Sequence, residues 1–473
     1  MRPVGRRPYG VGRRRTPKAR FIDCVIQILN SKEDCYMSIT KKVGVALTCA
    51  TVAGLCTSAR AVTDADIETS FFPYKNKVPG LSGLQRGTII NKANIQNFKN
   101  AIDPATAKFI ESGWNEIEVG PTESIALHPN YIALTKKNAN QAKLGAKVGS
   151  IESYKGGRPF PEEPDTKDPR AGEKLAFNFK YSQVAGDSGR IFPFLWDYKN
   201  LNTGKVERSI SFDFHFLNYK YRIAQEPTPN ITPNPADIYR GIYVKVLEPQ
   251  DLKNTQLLIQ RFDDDNKLDD SYLYLGFQRR VRRLATGQTT DAFLGSDLMI
   301  EDFEGYNARI QDMQWTYSGT AETLVPFYDH TALKNVDPKL EDGYGQIKFG
   351  GKSGCFPDVP WSLRKVFILE SKPVEGSSPV GKRIMYMDAQ TMQFPIVLIY
   401  DKKGEIWKRW VVSFTDAEKS APKNKGAGVA VYTGASMVDV QTGHCTTLKA
   451  RIVVDPENNP PNLFTVQNMR GGD

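Results

Sequence analysis

From Ser209 to Arg222 the chain reads SISFDFHFLNYKYR. Ile210, Phe212, Phe214 and Phe216 share one parity, and Ser209, Ser211, Asp213 and His215 share the other. A period of two with one apolar side is the pattern of a half-buried antiparallel strand. The phase slips at Leu217, so that Tyr219 and Tyr221 extend the apolar row, and this predicts a bulge. Strand-like runs recur as IYVKVL, TQLLIQRF, SYLYLGF, IQDMQWTYS, RKVFILES, KRIMYMDA, FPIVLIYD, IWKRWVVSF, GVAVYT and LKARIVVD. Short strands joined by hairpin-length turns predict one large antiparallel sheet, and with few helices to cover it the sheet must curl or pack on itself. The expected class is mainly β (α+β).

The preceding stretch has another rhythm. AIDPATAKFIESGW predicts a helix with Asp103 as N-cap, Pro104 in the first turn and Gly113 as the stop. PNYIALTKKNANQAKLG predicts a second helix ending at Gly145, and a proline-rich connector follows over 156–174. The expected organisation is a helical and irregular segment over 62–172, then a curved β-sheet domain over 173–473.

Residues 41–61, KKVGVALTCATVAGLCTSARA, join a basic start, a short apolar run and a small-x-small end. That is the layout of a secretory signal peptide, here 37–61 with cleavage expected after Ala61. The apolar run is too short to span a bilayer, which needs about 20 residues. Residues 1–36 then read as an N-terminal extension from a start codon placed too early, and the expected location is the periplasm.

Export changes the charge argument. The chain has a formal charge of +10, but residues 1–61 hold 12 of its 63 Lys+Arg and only 3 of its 53 Asp+Glu. The remainder has 51 basic and 50 acidic residues, a net charge of +1. A nucleic-acid partner, which calls for a basic face, is therefore not expected. The same cut leaves Cys355 and Cys445 alone of the six cysteines. In an oxidising compartment they are candidates for a disulfide; two buried free thiols are the alternative.

The densest charge left is YLYLGFQRRVRRLATG at 272–287. Read as one strand, it puts Arg279 and Arg283 on one face and Arg280 and Arg282 on the other. Five Asp between 263 and 270 lie one strand earlier. An arginine ladder paired with those carboxylates is one reading, and an anion site for a lipid headgroup or acidic partner is the other. Catalytic patterns are missing: His128, His215, His330 and His444 are not in metal-ligand spacing, and GGKSG at 350–354 lacks the glycine of a phosphate loop. No enzyme activity, metal or cofactor is expected.

Several blocks resemble a known family: YKGGRPFPEEPDTKDPRAGEKLAFNFKY (154–181), SYLYLGFQRRVRRL with GSDLMIEDFEGYNARIQDMQW (295–315), PWSLRKVFILE (360–370), KRIMYMDAQT (382–391) and YDKKGEIWK (400–408). The chain is similar to exported bacterial proteins grouped as domain-of-unknown-function family 1329, often labelled outer-membrane lipoprotein-sorting proteins. The resemblance implies a fold related to the lipoprotein carriers LolA and LolB, an incomplete β-barrel with helices plugging its concave apolar side. It also implies a periplasmic carrier of lipids or other hydrophobic molecules, working with a resistance-nodulation-division type exporter and an outer-membrane protein. The alternative is an accessory protein of a transporter with no ligand of its own. Candidate ligand contacts are Arg279, Arg280, Arg282 and Arg283, as an anchoring or structural cluster, with Trp315, Trp361 and Trp407 as pocket or rim aromatics.

Overall fold

Thirteen antiparallel strands dominate residues 60–285, 289–454 and 457–471, which this computed structural model describes. The predicted extension at 1–36 and the export segment up to residue 59 lie outside the described residues. The first run of strands is β1 (Ser188–Asn200), β2 (Val206–Asn218), β3 (Ile238–Glu248), β4 (Gln256–Phe262), β5 (Asp270–Leu275) and β6 (Arg280–Arg283). The second is β7 (Met313–Val325), β8 (Ser362–Pro373), β9 (Val380–Asp388), β10 (Ile396–Asp401), β11 (Ile406–Asp416), β12 (Ala430–Asp439) and β13 (His444–Val454). The sheet order is β6-β5-β4-β3-β2-β1-β13-β12-β11-β10-β9-β8-β7. It is two sets of strands joined where β13 pairs with β1, with Leu448 opposite Trp196. The edges, β6 and β7, do not pair, so the sheet is not a closed barrel.

The alternation in β2 builds one face of the core. Phe212 meets Trp196 at 5.0 Å between ring centroids, and Phe214 meets Phe194 at 5.7 Å. The predicted slip at Leu217 is not a bulge. Leu217 stays in register opposite Ser188 and Gly241, and the strand ends at Asn218. Leu217 is apolar because the other face is buried too: with Tyr219, Tyr243 and Leu258 it packs against Phe464 and Met469 of the C-terminal segment. The register shift between β2 and β3 lies earlier, between Ser211 and Phe212.

The far half of the sheet is likewise covered on both sides. All ten residues of β12 are buried, which explains continuous apolar runs in place of alternation. The N-terminal helix Pro104–Glu111 begins at the expected cap, with Thr106 N donating to Asp103 Oδ1 at 2.9 Å, and Gly113 turns left-handed just after it. From this segment Phe109 reaches Phe356 at 5.6 Å. The two-stranded loop over 345–361, in which Gly345–Gly350 pairs with Phe356–Asp358, presses Ile347 against Gly434, where a Cβ would collide with that side chain. Cys355 and Cys445 form a disulfide that ties this loop to β13 across a sequence separation of 90.

Two local expectations change. The second helix spans only Pro129–Lys137; Asn140 turns left-handed, and Lys143–Leu144 then pairs with Ile151–Glu152. The connector at 156–174 runs into a helix, Ala171–Lys180, whose Leu175, Ala176 and Phe177 are buried. Gly172 lets this helix lie on β7, since a Cβ there would fall 2.8 Å from Thr316 N.

Candidate functional site

The segment joining the two halves of the sheet fills its inner face. Phe293 and Phe303, from the block 295–315 and the residues before it, stack edge-on against Trp196 at 5.9 and 6.1 Å. Ile300, Tyr306 and Ile310 join the same core. The plug is built of short 3-10 turns, Ile300–Gly305 and Ile310–Asp312. Gly305 is required for it: its φ is +95°, and a Cβ would sit 2.8 Å from Phe394 Cβ.

Charged side chains from three strands, and a hydroxyl from a fourth, hold the plug in place. On β9, Arg383 is fully buried and pairs with Glu301 and, at 3.1 Å, with Asp302. On β3, Arg240 forms two bonds to Glu304, at 2.9 and 2.8 Å. On β11, Lys408 donates to the Asp297 carbonyl, and Thr446 of β13 donates to Asp297 Oδ2 at 2.8 Å. Burial pushes the Glu301 carboxyl up, against the pull of Arg383. Burial likewise pushes Asp297 up to about 6, despite the Thr446 hydrogen bond and nearby Lys408.

The Asp297 shift has a definite sign. A carboxyl raised from 3.8 to about 6 binds its proton more readily in the folded state than in the unfolded one. Below the unfolded value it costs nothing; as pH rises through that window, stability falls, by up to about 3 kcal/mol above it. Asp297→Asn is therefore expected to match the parent near pH 4 and to be the more stable protein at pH 8. Urea unfolding at the two pH values checks this, and an equal difference at both would remove Asp297 as the cause.

Behind the plug the interior is filled. The slot between Trp196, Phe303 and Trp410 measures about 30 Å³. A larger cleft, about 450 Å³, lies where the sheet fails to close. Leu268, Ser271 and Leu284 line it from the β5–β6 side, and Met313 and Pro373 from the β7–β8 side. Arg309 comes from the plug, paired with Asp312. The lining is mixed: Leu268, Leu284, Met313 and Pro373 are apolar, but polar residues outnumber them, and Asp269, Glu301, Asp312 and Glu375 outweigh the one arginine, so the cleft suits a molecule with an apolar part and a polar head.

The residues expected to bind ligand are spread out. The stretch 272–287 does not run as one strand. It folds back at Gly276–Arg279 into a hairpin, with Arg280 opposite Leu275. The glycine and the left-handed Arg279 break the strand. Arg283 pairs with Asp270, Arg282 donates to Gln278, and all four arginines are exposed. Trp315 is buried, donating to the Ile310 carbonyl at 2.8 Å. Trp361 is buried beside Arg409, and Trp407 donates to Asp439 at 2.9 Å. None of these seven lines the 450 Å³ cleft. Glu301 and Asp302 carry no local signal in the sequence, because their partner Arg383 is remote from them; Glu301 and Arg383 are 82 residues apart.

The histidines are structural where packed: His215 Nδ1 lies 2.6 Å from Asn459 Oδ1, and burial pushes His330 down to about 4. Among the described residues no group of His, Cys, Asp or Glu could hold a metal ion.

A family model described as a protein of unknown function, DUF1329, matches residues 89–470. An uncharacterized protein of Pseudomonas aeruginosa is 23% identical over 407 residues, covering 84% of this chain and 80% of its own. A Vibrio parahaemolyticus domain named for outer membrane lipoprotein sorting is 17% identical, with a TM-score of 0.43 over 64% of this chain and 100% of that one. A LolA superfamily protein from Nitrosomonas europaea is 10% identical, with a TM-score of 0.37 over 63% of this chain and 98% of that one.

Proposed function

This chain belongs to the DUF1329 family, and from that premise we propose that it binds a lipid or other amphiphilic molecule in the open seam of its sheet and carries it within the cell envelope. The observation that carries the reading is the 450 Å³ cleft, held open because the edge strands do not pair. Its apolar residues, Leu268, Leu284 and Met313 among them, would shelter the start of a chain, and its polar majority, with Asp269, Glu301 and Glu375 beside the Arg309–Asp312 pair, would meet a polar head. A longer chain would need the plug to withdraw from the inner face. The Cys355–Cys445 disulfide supports an oxidising compartment such as the periplasm. Among the described residues no helix is long and apolar enough to cross a membrane. An envelope exporter and an outer-membrane protein would supply and accept the cargo.

The filled interior favours a second reading, an accessory protein of a transporter that binds no ligand. Native mass spectrometry of the protein from its own host, followed by solvent extraction, separates the two. A stoichiometric amphiphile supports the carrier; an empty protein that takes up no added lipid supports the accessory role. Leu284→Trp should narrow the cleft. It is expected to lower lipid occupancy at least tenfold while changing stability by less than about 1 kcal/mol. Undiminished occupancy would move the ligand out of the seam.

A further inference from the structure

The β5–β6 hairpin ends in a feature that the ligand reading does not use. At its tip Phe277 is 75% exposed, the most exposed large apolar side chain among the described residues. Arg279 and Arg280 follow it after Gln278, and Arg282 and Arg283 lie just beyond on β6. Arg280 and Arg282 point to the face opposite Val281 and Arg283, so cations stand on both sides of the tip. The β3–β4 turn abuts the hairpin, with the Lys253 backbone carbonyl 2.7 Å from where a Gly276 Cβ would stand. Of the four arginines only Arg283 has an ion-pair partner among the described residues, Asp270.

Charge on an edge strand is a common guard against edge-to-edge pairing. That accounts for arginines along β6 but not for a bare phenylalanine at the turn. Nor does a small-anion site account for them, because the four arginines are exposed and stand on both sides of the hairpin and do not converge on one point. A projecting apolar side chain collared by cations matches a layered partner: negative headgroups outside, hydrocarbon beneath.

We propose that the β5–β6 hairpin docks the protein on an anionic lipid bilayer, with Phe277 entering the headgroup boundary and Arg279, Arg280 and Arg282 held by lipid phosphates. Leu284 and Ala285, which follow β6 directly, line the seam cleft, so docking would bring the cleft beside the membrane. The docking itself does not depend on whether the cleft holds a ligand.

The test is sedimentation of the purified chain with equimolar phosphatidylcholine–phosphatidylglycerol vesicles and with pure phosphatidylcholine vesicles. Binding is expected to the first only and to weaken with salt. A basic side chain near such a surface contributes about fivefold, so R279Q/R280Q/R282Q should lose on the order of a hundredfold. F277S, which keeps every charge, should lose about tenfold. These side chains are exposed, and an unchanged unfolding transition in both variants will show that the fold is intact. Absence of binding to anionic vesicles, or binding that both variants retain, overturns the proposal. Full release of the protein from vesicles by millimolar inorganic phosphate at constant ionic strength would also overturn it, in favour of a small-anion site.

Discussion

Arg383→Met is expected to destabilise the protein by about 3–5 kcal/mol and to free the plug from the inner face. The arginine is fully buried between Glu301 and Asp302, and its Nε and Nη1 have no hydrogen-bond partner. Its net contribution therefore comes less from good bonding than from neutralising two acids that are almost wholly buried. Without it both carboxylates stay buried, and each must hold a proton or pull the 300–305 turn outward. The loss should accordingly be smaller at pH 5 than at pH 8, because protonation removes the uncompensated charge. Adding Glu301→Gln and Asp302→Asn to the Arg383 variant should recover most of the stability. Guanidinium unfolding of the parent, single and triple variants decides the matter. A single-variant loss under about 1 kcal/mol would mean that apolar packing alone holds the plug.

Loss of the Cys355–Cys445 disulfide is expected to cost about 4–5 kcal/mol, mainly by freeing the unfolded chain from a long closed loop. Both cysteines are fully buried. Reductant should therefore act on the native protein slowly, at the rate of opening, and quickly once the chain is unfolded. The double alanine variant, compared with the parent by equilibrium unfolding with and without reductant, checks both points. The parent in reductant should approach the variant's midpoint. A variant as stable as the oxidised parent would show that contacts around Phe356 and Ile347 hold this loop without the bond.

The large antiparallel sheet was legible in the chain because strand pattern is local. Side chains two residues apart share a face, so Phe212, Phe214 and Phe216 declare a buried side without reference to any partner. The cap at Asp103 was legible for the same reason: donor and acceptor lie three residues apart. Where burial came from a distant segment, the local pattern misled. Leu217 looks like a slipped register, yet it is apolar because Phe464, from the chain's far end, lies over that face. The hairpin in 272–287 was hidden differently, since arginine and phenylalanine favour no turn and only Gly276 marked it.

The candidate site belongs to this second kind. Sequence by itself determined the class, the strand-rich region, the helix start at Asp103 and the two cysteines able to pair. Tertiary structure alone decided that β6 and β7 remain apart, that the block 295–315 lies across the inner face, and that Arg240, Arg383 and Lys408 hold it there. Periodicity and capping are set within a few residues, whereas an ion pair across 82 residues and a cleft between two strand ends depend on where the whole sheet turns.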